Sequence, residues 1–117
     1  MATPRLVHAF DQILDYDFKS VVGGHLSQLA TRDDVIAQRD YVRDLMTAAG
    51  TANQQVDYES ATSNVDPQNV WAQFKTYSDA VTARCIQLMP DWTTRLGGAD
   101  VFLPENCFVA TESQRID

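Results

Sequence analysis

His25 follows a pair of glycines and an apolar segment, within the stretch FKSVVGGHLSQLATRDDV. An imidazole in such a turn is a suitable ligand for a divalent metal, and a hydrolytic metal site needs about three protein ligands and one open position. The chain contains one other histidine, His8, and has no HxH, HExxH or DxH arrangement. By itself, therefore, the stretch around His25 favours a turn or surface residue over a metal ligand.

Three aspartates near the end of the first predicted helix, Asp11, Asp15 and Asp17, could gather a cation together with His8 and His25. Carboxylates at the C-terminus of a helix oppose its dipole and usually face water. We therefore interpret these aspartates as solvated surface residues. We interpret His8, which lies within the helix, as a partly exposed side chain.

The two cysteines, Cys85 and Cys107, lie far apart in the sequence and form no CxxC pair, so they predict neither a zinc ribbon nor a redox motif. A disulfide between them is one alternative. Because we expect a reducing compartment, the sequence favours two free thiols that pack in the core. No nucleophile-elbow, P-loop or GxGxxG pattern is present.

The composition of the 117-residue chain is that of an ordinary globular domain with an acidic surface. Apolar residues make up 44% of the chain and its net charge is −7, so phosphate backbones and anionic membranes are poor partners. No apolar run is long enough to span a membrane, and the stretch MATPRLVHAF lacks the apolar core of a signal peptide. We expect a single soluble, cytoplasmic domain without nucleic-acid or membrane partners.

The spacing of apolar residues predicts three principal helices. The first covers 4–15 and has a threonine and a proline at its start. A short strand or extended segment at 18–22 precedes Gly23-Gly24. The second helix covers 32–49, begins at the capping box in TRDD and ends at Gly50.

The rest of the chain is predicted to be helical apart from its connections. A polar connection at 51–64 contains one short helical turn at 57–62. The third and longest helix begins at Asp66-Pro67, since an acidic cap followed by proline is a typical helix start. A final helix at 105–113 follows a turn led by Pro104. The predicted fold is therefore mainly α, a single domain of three principal helices with one short strand.

Aromatic residues are concentrated on one side of the third helix and could line a ligand pocket. At helical spacing, such a stripe more often forms a core or an interface. The residues that we assign to an interface or pocket are Phe10, Trp71, Phe74, Tyr77 and Trp92.

The segments FDQILDYDFKSVVGGH and TRDDVIAQRDYVRDL resemble, in this order, the C-terminal part of metallo-β-lactamase-fold hydrolases. In that part of the family's fold a helix leads to a strand, a Gly-His turn and a capped helix. The remainder, with its WAQF helix, its LGGADVF turn and its closing ESQRID, is similar to the helical tail of uncharacterised bacterial members. The resemblance divides the single domain at 1–117 into the end of that fold, at 1–50, and a helical tail at 51–117.

In that family the histidine of the Gly-His turn is a ligand of a dinuclear metal centre, so the resemblance implies an ancestral ligand position at His25. GGHL replaces the commoner Gly-His-Gly, and the HxHxDH motif that supplies other ligands has no counterpart here. One ligand does not hold a catalytic metal. We therefore expect no catalytic residues and no cofactor, and the sequence favours the absence of enzymatic activity. The alternative is a zinc-dependent hydrolase or metal-binding protein that combines His25 with carboxylates or with a second copy.

The resemblance also implies that the helices at 4–15 and 32–49 pack on a sheet in related proteins, and this chain lacks that sheet. Their apolar faces need another cover. The helices of one copy could collapse on one another, but a self-complementary homodimer buries the faces more completely. We therefore expect a non-catalytic oligomeric interaction or ligand-binding module, a homodimer with a further protein as a possible partner.

Overall fold

The computed structural model describes residues 2–15, 20–22 and 29–116. These residues form a mainly α domain, as the sequence predicted. In chain order the elements are α1 (Ala2–Leu14), β1 (Ser20–Val22), β2 (Leu29–Thr31), α2 (Arg32–Gln55), α3 (Tyr58–Thr62), α4 (Val70–Leu88) and α5 (Ala99–Ile116). The strand β1 confirms the predicted short strand. It pairs antiparallel with β2, which the sequence did not predict, and Ser20 lies opposite Thr31.

The start of α2 follows from the predicted capping box. The Thr31 hydroxyl accepts a hydrogen bond from the backbone N–H of Asp34 at 3.1 Å, and the Asp34 carboxylate accepts one from the N–H of Thr31 at 2.8 Å. Two N–H groups that the helix cannot pair internally are thereby bonded. Because Thr31 also ends β2, this cap sets the direction in which α2 leaves the sheet.

The prediction that the second helix ends at Gly50 is wrong. The helix α2 continues to Gln55. Gly50 lies at the contact with α5, where a β-carbon would approach Gln114 Oε1 to 3.2 Å. The side chain of Gln114 also donates a hydrogen bond to the carbonyl oxygen of Met46 at 2.9 Å. Gly50 thus leaves room for the side-chain amide of Gln114 and does not terminate its own helix.

The helix α4 begins later than predicted. Asp66-Pro67 precedes the helix, which starts at Val70, where the Asn69 side chain accepts a hydrogen bond from an N–H of the first turn at 3.0 Å. Asn and Asp are about equally good N-caps, so cap preference alone does not choose between the two positions. The short helix α3 confirms the helical turn predicted at 57–62.

The helix α5 is longer than the helix predicted at 105–113, and it contains Pro104. It begins at Ala99, after Gly98, whose φ of 76° lies in the left-handed region that glycine adopts readily. Pro104 lies in the second turn, where its missing N–H leaves the carbonyl of Asp100 without the usual helical partner. The predicted turn at Pro104 is therefore wrong, because one lost bond near the start does not end a helix whose later turns are packed.

The core lies between α2, α4 and α5. Contacts from Cys85 to Cys107 and from Ser78 to Glu112 show that α4 and α5 run antiparallel. The small residues of α2 that let the other helices approach are Ala48, Ala49 and Ala52. The buried residues that face them include Val81, Cys85, Cys107 and Ala110. The helices of one copy thus cover the apolar face of α2 without a second copy.

The helix α1 packs along the first half of α2. Val7 and Phe10 contact the core. Asp11 forms ion pairs with Arg39 and Arg43, each at 3.2 Å. Apolar contacts and charge pairs together therefore hold α1 beside α2.

Cys85 and Cys107 form a disulfide between α4 and α5, with their Cα atoms 5.8 Å apart. The expectation of two free thiols is therefore wrong. Their expected place in the core is confirmed, since neither is exposed to solvent. Antiparallel packing brings together two residues that are 22 positions apart in the sequence, and no local pattern predicts that contact.

Candidate functional site

Of the residues considered as possible metal ligands, those that the structure describes form no metal site. His25 and Asp17 lie outside the described residues. His8 and Asp15 are exposed, as expected. Asp11, which was expected to be solvated, has a side chain that is 40% exposed and also forms the ion pairs with α2. Among the described residues there is no group of three or more His, Cys, Asp or Glu side chains that could hold a metal ion.

A defined polar arrangement surrounds Trp92, in the connection between α4 and α5. The indole Nε1 donates a hydrogen bond to Asp44 Oδ2 at 2.9 Å. The Trp92 ring makes an edge contact with Tyr41, with 5.7 Å between the centroids, and the guanidinium of Arg95 lies 4.5 Å from the Trp92 ring centre. Asn106 donates a hydrogen bond to the Tyr41 hydroxyl at 2.8 Å. We call these five residues the Trp92 cluster.

A cleft of about 170 Å³ opens beside the Trp92 cluster. Pockets for small molecules usually measure about 300–1,000 Å³. At the edge of the cleft, the side chain and backbone of Thr93 donate hydrogen bonds to Asp91, which hold the pKa of Asp91 below its usual value. Together with the hydrogen bond from Trp92 to Asp44, these bonds hold the connection between α4 and α5 in place.

A second polar arrangement joins α4 to α5 around Ser78, which is buried. Its hydroxyl donates a hydrogen bond to Glu112 Oε1 at 3.2 Å. Arg115 forms an ion pair with Glu112 and lies over the Tyr77 ring, 5.0 Å from its centre. Glu112 thus bonds both to Ser78 of α4 and to Arg115 of its own helix. These contacts join α4 to α5.

The five residues assigned to an interface or pocket occupy two environments. Phe10, Tyr77 and Trp92 pack in or against the core. Trp71 and Phe74 are exposed, Trp71 by 84%. The first three residues therefore serve the fold, and only the last two remain accessible to another molecule.

Two patches of exposed apolar side chains occur on the described surface. The α4 patch lies in the first turns of α4 and consists of Val70, Trp71 and Phe74. The α5 patch lies on the side of α5 that faces away from the core and consists of Val101, Phe102, Phe108 and Val109. Single exposed apolar residues are common, whereas grouped ones mark sites of interaction. These two patches are the candidate functional surfaces.

The sequence interpretation missed the α5 patch because it placed a turn at Pro104. When the helix is continued through Pro104, residues seven positions apart fall on the same face. Val101 and Phe108 form one such pair, and Phe102 and Val109 form another. The seven-residue spacing was therefore the signal that could have located the patch.

Within the described ranges, no helix combines the length and the hydrophobicity needed to cross a membrane. No family model, no curated protein and no solved structure matches the chain. The interpretation of function therefore depends on the site residues and surfaces of this chain.

Proposed function

We propose that the chain is a non-catalytic interaction module that forms a homodimer. The observation that carries the proposal is the exposure of the α4 and α5 patches on a domain whose core is already closed. Grouped apolar side chains gain free energy when a second surface removes them from water. The Trp92 cluster and the contacts of Ser78 also support the proposal, because the Trp92 indole and the Ser78 hydroxyl are bonded to Asp44 and Glu112 and serve packing.

The proposed origin of the module is the C-terminal part of a metallo-β-lactamase-fold hydrolase. The order of the segments between Phe10 and Leu45 supports this origin. His25 then occupies the position of an ancestral ligand and no longer holds a metal. Under this proposal, His25→Ala leaves both the fold and the assembly unchanged. A His25→Ala protein that fails to assemble would contradict it.

Native mass spectrometry of the protein, purified without a chelator, tests assembly and metal content in one experiment. We expect a metal-free dimer whose proportion rises with protein concentration. A monomer at every concentration would overturn the proposal. A metal retained in fixed ratio, and lost in His25→Ala, would instead support the zinc-dependent hydrolase or metal-binding protein.

The cytoplasmic location expected from the sequence remains a proposal, and the buried disulfide argues against it. Disulfides are rare in reducing compartments and common in oxidising ones. Thiol labelling of the denatured protein, taken directly from its source cells, tests the compartment. Two reactive thiols per chain would support the cytoplasm, and none would support an oxidising compartment.

A further inference from the structure

The α5 patch has a symmetry that the α4 patch lacks. Its residues occur as Val101-Phe102 and Phe108-Val109, an order that is the same in both directions from Glu105. We propose that α5 of a second copy docks on this patch in antiparallel orientation, with Glu105 beside the two-fold axis. The inference rests on the proposed function and specifies the surface through which two copies meet.

In an α-helix, this symmetric spacing places all four side chains on one side. Residues three and four positions before and after Glu105 lie on the same side of the helix, flanking it. A two-fold axis perpendicular to α5 at the level of Glu105 reverses the helix direction and matches the patch with itself. Val101 then lies near Phe108 of the second copy, and Phe102 lies near Val109 of the second copy.

The docked helix would cover side chains that face water in a single copy. Val101 is 70% exposed and Val109 is 57% exposed, so both side chains make few contacts within a single copy. Together the four side chains offer on the order of 450 Å² of apolar surface per copy. Two copies would bury roughly 900 Å², less than the about 1,200–2,000 Å² of a standard interface. We therefore expect a dimer that dissociates on dilution.

Glu105 limits the strength of this contact. It is exposed in the single copy, and in the dimer two like-charged carboxylates would approach each other at the axis. Repulsion between like charges is stronger in a partly desolvated contact than in bulk water. Neutralising Glu105 should therefore strengthen the dimer, whereas neutralising a distant carboxylate should leave its strength unchanged.

Sedimentation velocity over a concentration series measures the dissociation constant of each full-length variant. Phe108→Gln removes one aromatic side chain from each copy, and we expect its dimer to be about tenfold weaker. Val101→Gln is the second variant. Val101 is more exposed than Phe108, so its substitution should disturb the fold less. Trp71→Gln in the α4 patch is the matched control and should bind like the unmodified protein. Circular dichroism confirms that each variant is folded.

The charge at the axis is tested separately. We expect Glu105→Gln to tighten the dimer about threefold. Glu59→Gln removes an exposed carboxylate from α3 and should have no effect on the dissociation constant. Equal tightening by the two variants would show that net charge, and not the axis, governs association.

Cysteine cross-linking under a mild oxidant tests the orientation. Glu105→Cys should give a covalent dimer, because the two positions meet at the axis. Val101→Cys should not, because its counterpart in the second copy lies about 12 Å away along the helix. The opposite pattern would overturn the antiparallel arrangement.

The outcomes separate this inference from the proposed function. If the protein dimerises and both Phe108→Gln and Val101→Gln dimerise equally well, the α5 contact is wrong while the interaction module stands. If Trp71→Gln alone abolishes the dimer, the α4 patch is the interface. A protein that remains monomeric at every concentration would overturn both proposals.

Discussion

The two sides of α5 are built from similar apolar residues but lie in opposite environments. Ala110 is 4% exposed, while its neighbour Val109 is 57% exposed. The buried side also forms specific bonds to the other helices, through the disulfide of Cys107 and the hydrogen bond of Asn106 to Tyr41. Hydrophobicity alone therefore does not decide which side of α5 is covered. The side that faces α2 and α4 is covered.

This comparison separates stability from interaction. Changes on the buried side should lower the free energy of unfolding and leave the proposed contact surface in place. Changes in the α5 patch should leave the free energy of unfolding nearly unchanged, because exposed substitutions usually alter it by less than about 0.5 kcal/mol.

The largest effect is expected from removing the disulfide on the buried side. The two cysteines are separated by 22 positions, and losing a cross-link of that span should lower the free energy of unfolding by about 3 kcal/mol, because the unfolded chain gains entropy. Urea unfolding of the double variant Cys85→Ala and Cys107→Ala measures the loss. The unmodified protein, reduced and kept in reductant, is the control. An unchanged unfolding midpoint in both samples would contradict a stabilising bond.

A matched pair of neighbouring residues should give the next largest effect. Ala110→Leu places a larger side chain in the packed core and should cost about 2 kcal/mol. Val109→Leu enlarges a side chain that faces water and should change the free energy of unfolding by less than about 0.5 kcal/mol. Thermal unfolding of the two variants compares the two sides of α5 directly. Equal losses would mean that the outward side is also covered in a single copy.

The hydrogen bond of Trp92 should contribute less to the free energy of unfolding than the disulfide or the packing at Ala110. Trp92→Phe keeps a ring against Tyr41 but removes the donor to Asp44, and we expect a loss of about 1.5 kcal/mol, since a bond to a charged acceptor is involved. Trp71→Phe, on the exposed α4 patch, is the control and should be nearly neutral. The interpretation fails if urea unfolding shows the same midpoint shift for both variants.

The smallest effect on stability is expected from Asp57, which caps α3 and belongs to neither side of α5. The backbone N–H and the hydroxyl of Ser60 donate hydrogen bonds to Asp57, and these bonds lower the pKa of its carboxyl group. Because the folded pKa lies below the unfolded value, the carboxylate stabilises the fold above about pH 4. This contribution is lost as the pH falls through the folded pKa. Asp57→Asn should therefore lose less stability than the unmodified protein when urea unfolding is compared at about pH 5 and pH 3.

Local signals in the sequence located most helices but misplaced several of their ends. The capping box at Thr31 located the start of α2 correctly, because both of its hydrogen bonds form within four residues. Gly50, Pro104 and Asp66-Pro67 were misleading, because each was interpreted as a helix boundary from its residue type alone. A glycine at a helix contact and a proline in an early turn are compatible with a continuing helix when neighbouring helices pack on it.

Only part of the candidate surfaces was predicted from the sequence. Trp71 and Trp92 looked equivalent, yet Trp71 is exposed and Trp92 is buried with a hydrogen-bond partner. A tryptophan's environment depends on which distant residue reaches its indole group, and Asp44 is 48 positions away. The partners of such side chains therefore could not be read from local spacing.

The sequence alone determined a mainly helical chain with a negative net charge, because helix caps, periodic apolar residues and net charge are local or summed properties. Only the tertiary structure decided that the apolar face of α2 is covered, that Cys85 and Cys107 are bonded, and that the α4 and α5 patches remain exposed. The physical reason is that propensity acts over a few neighbouring residues, whereas burial is set by the elements that pack from elsewhere in the chain.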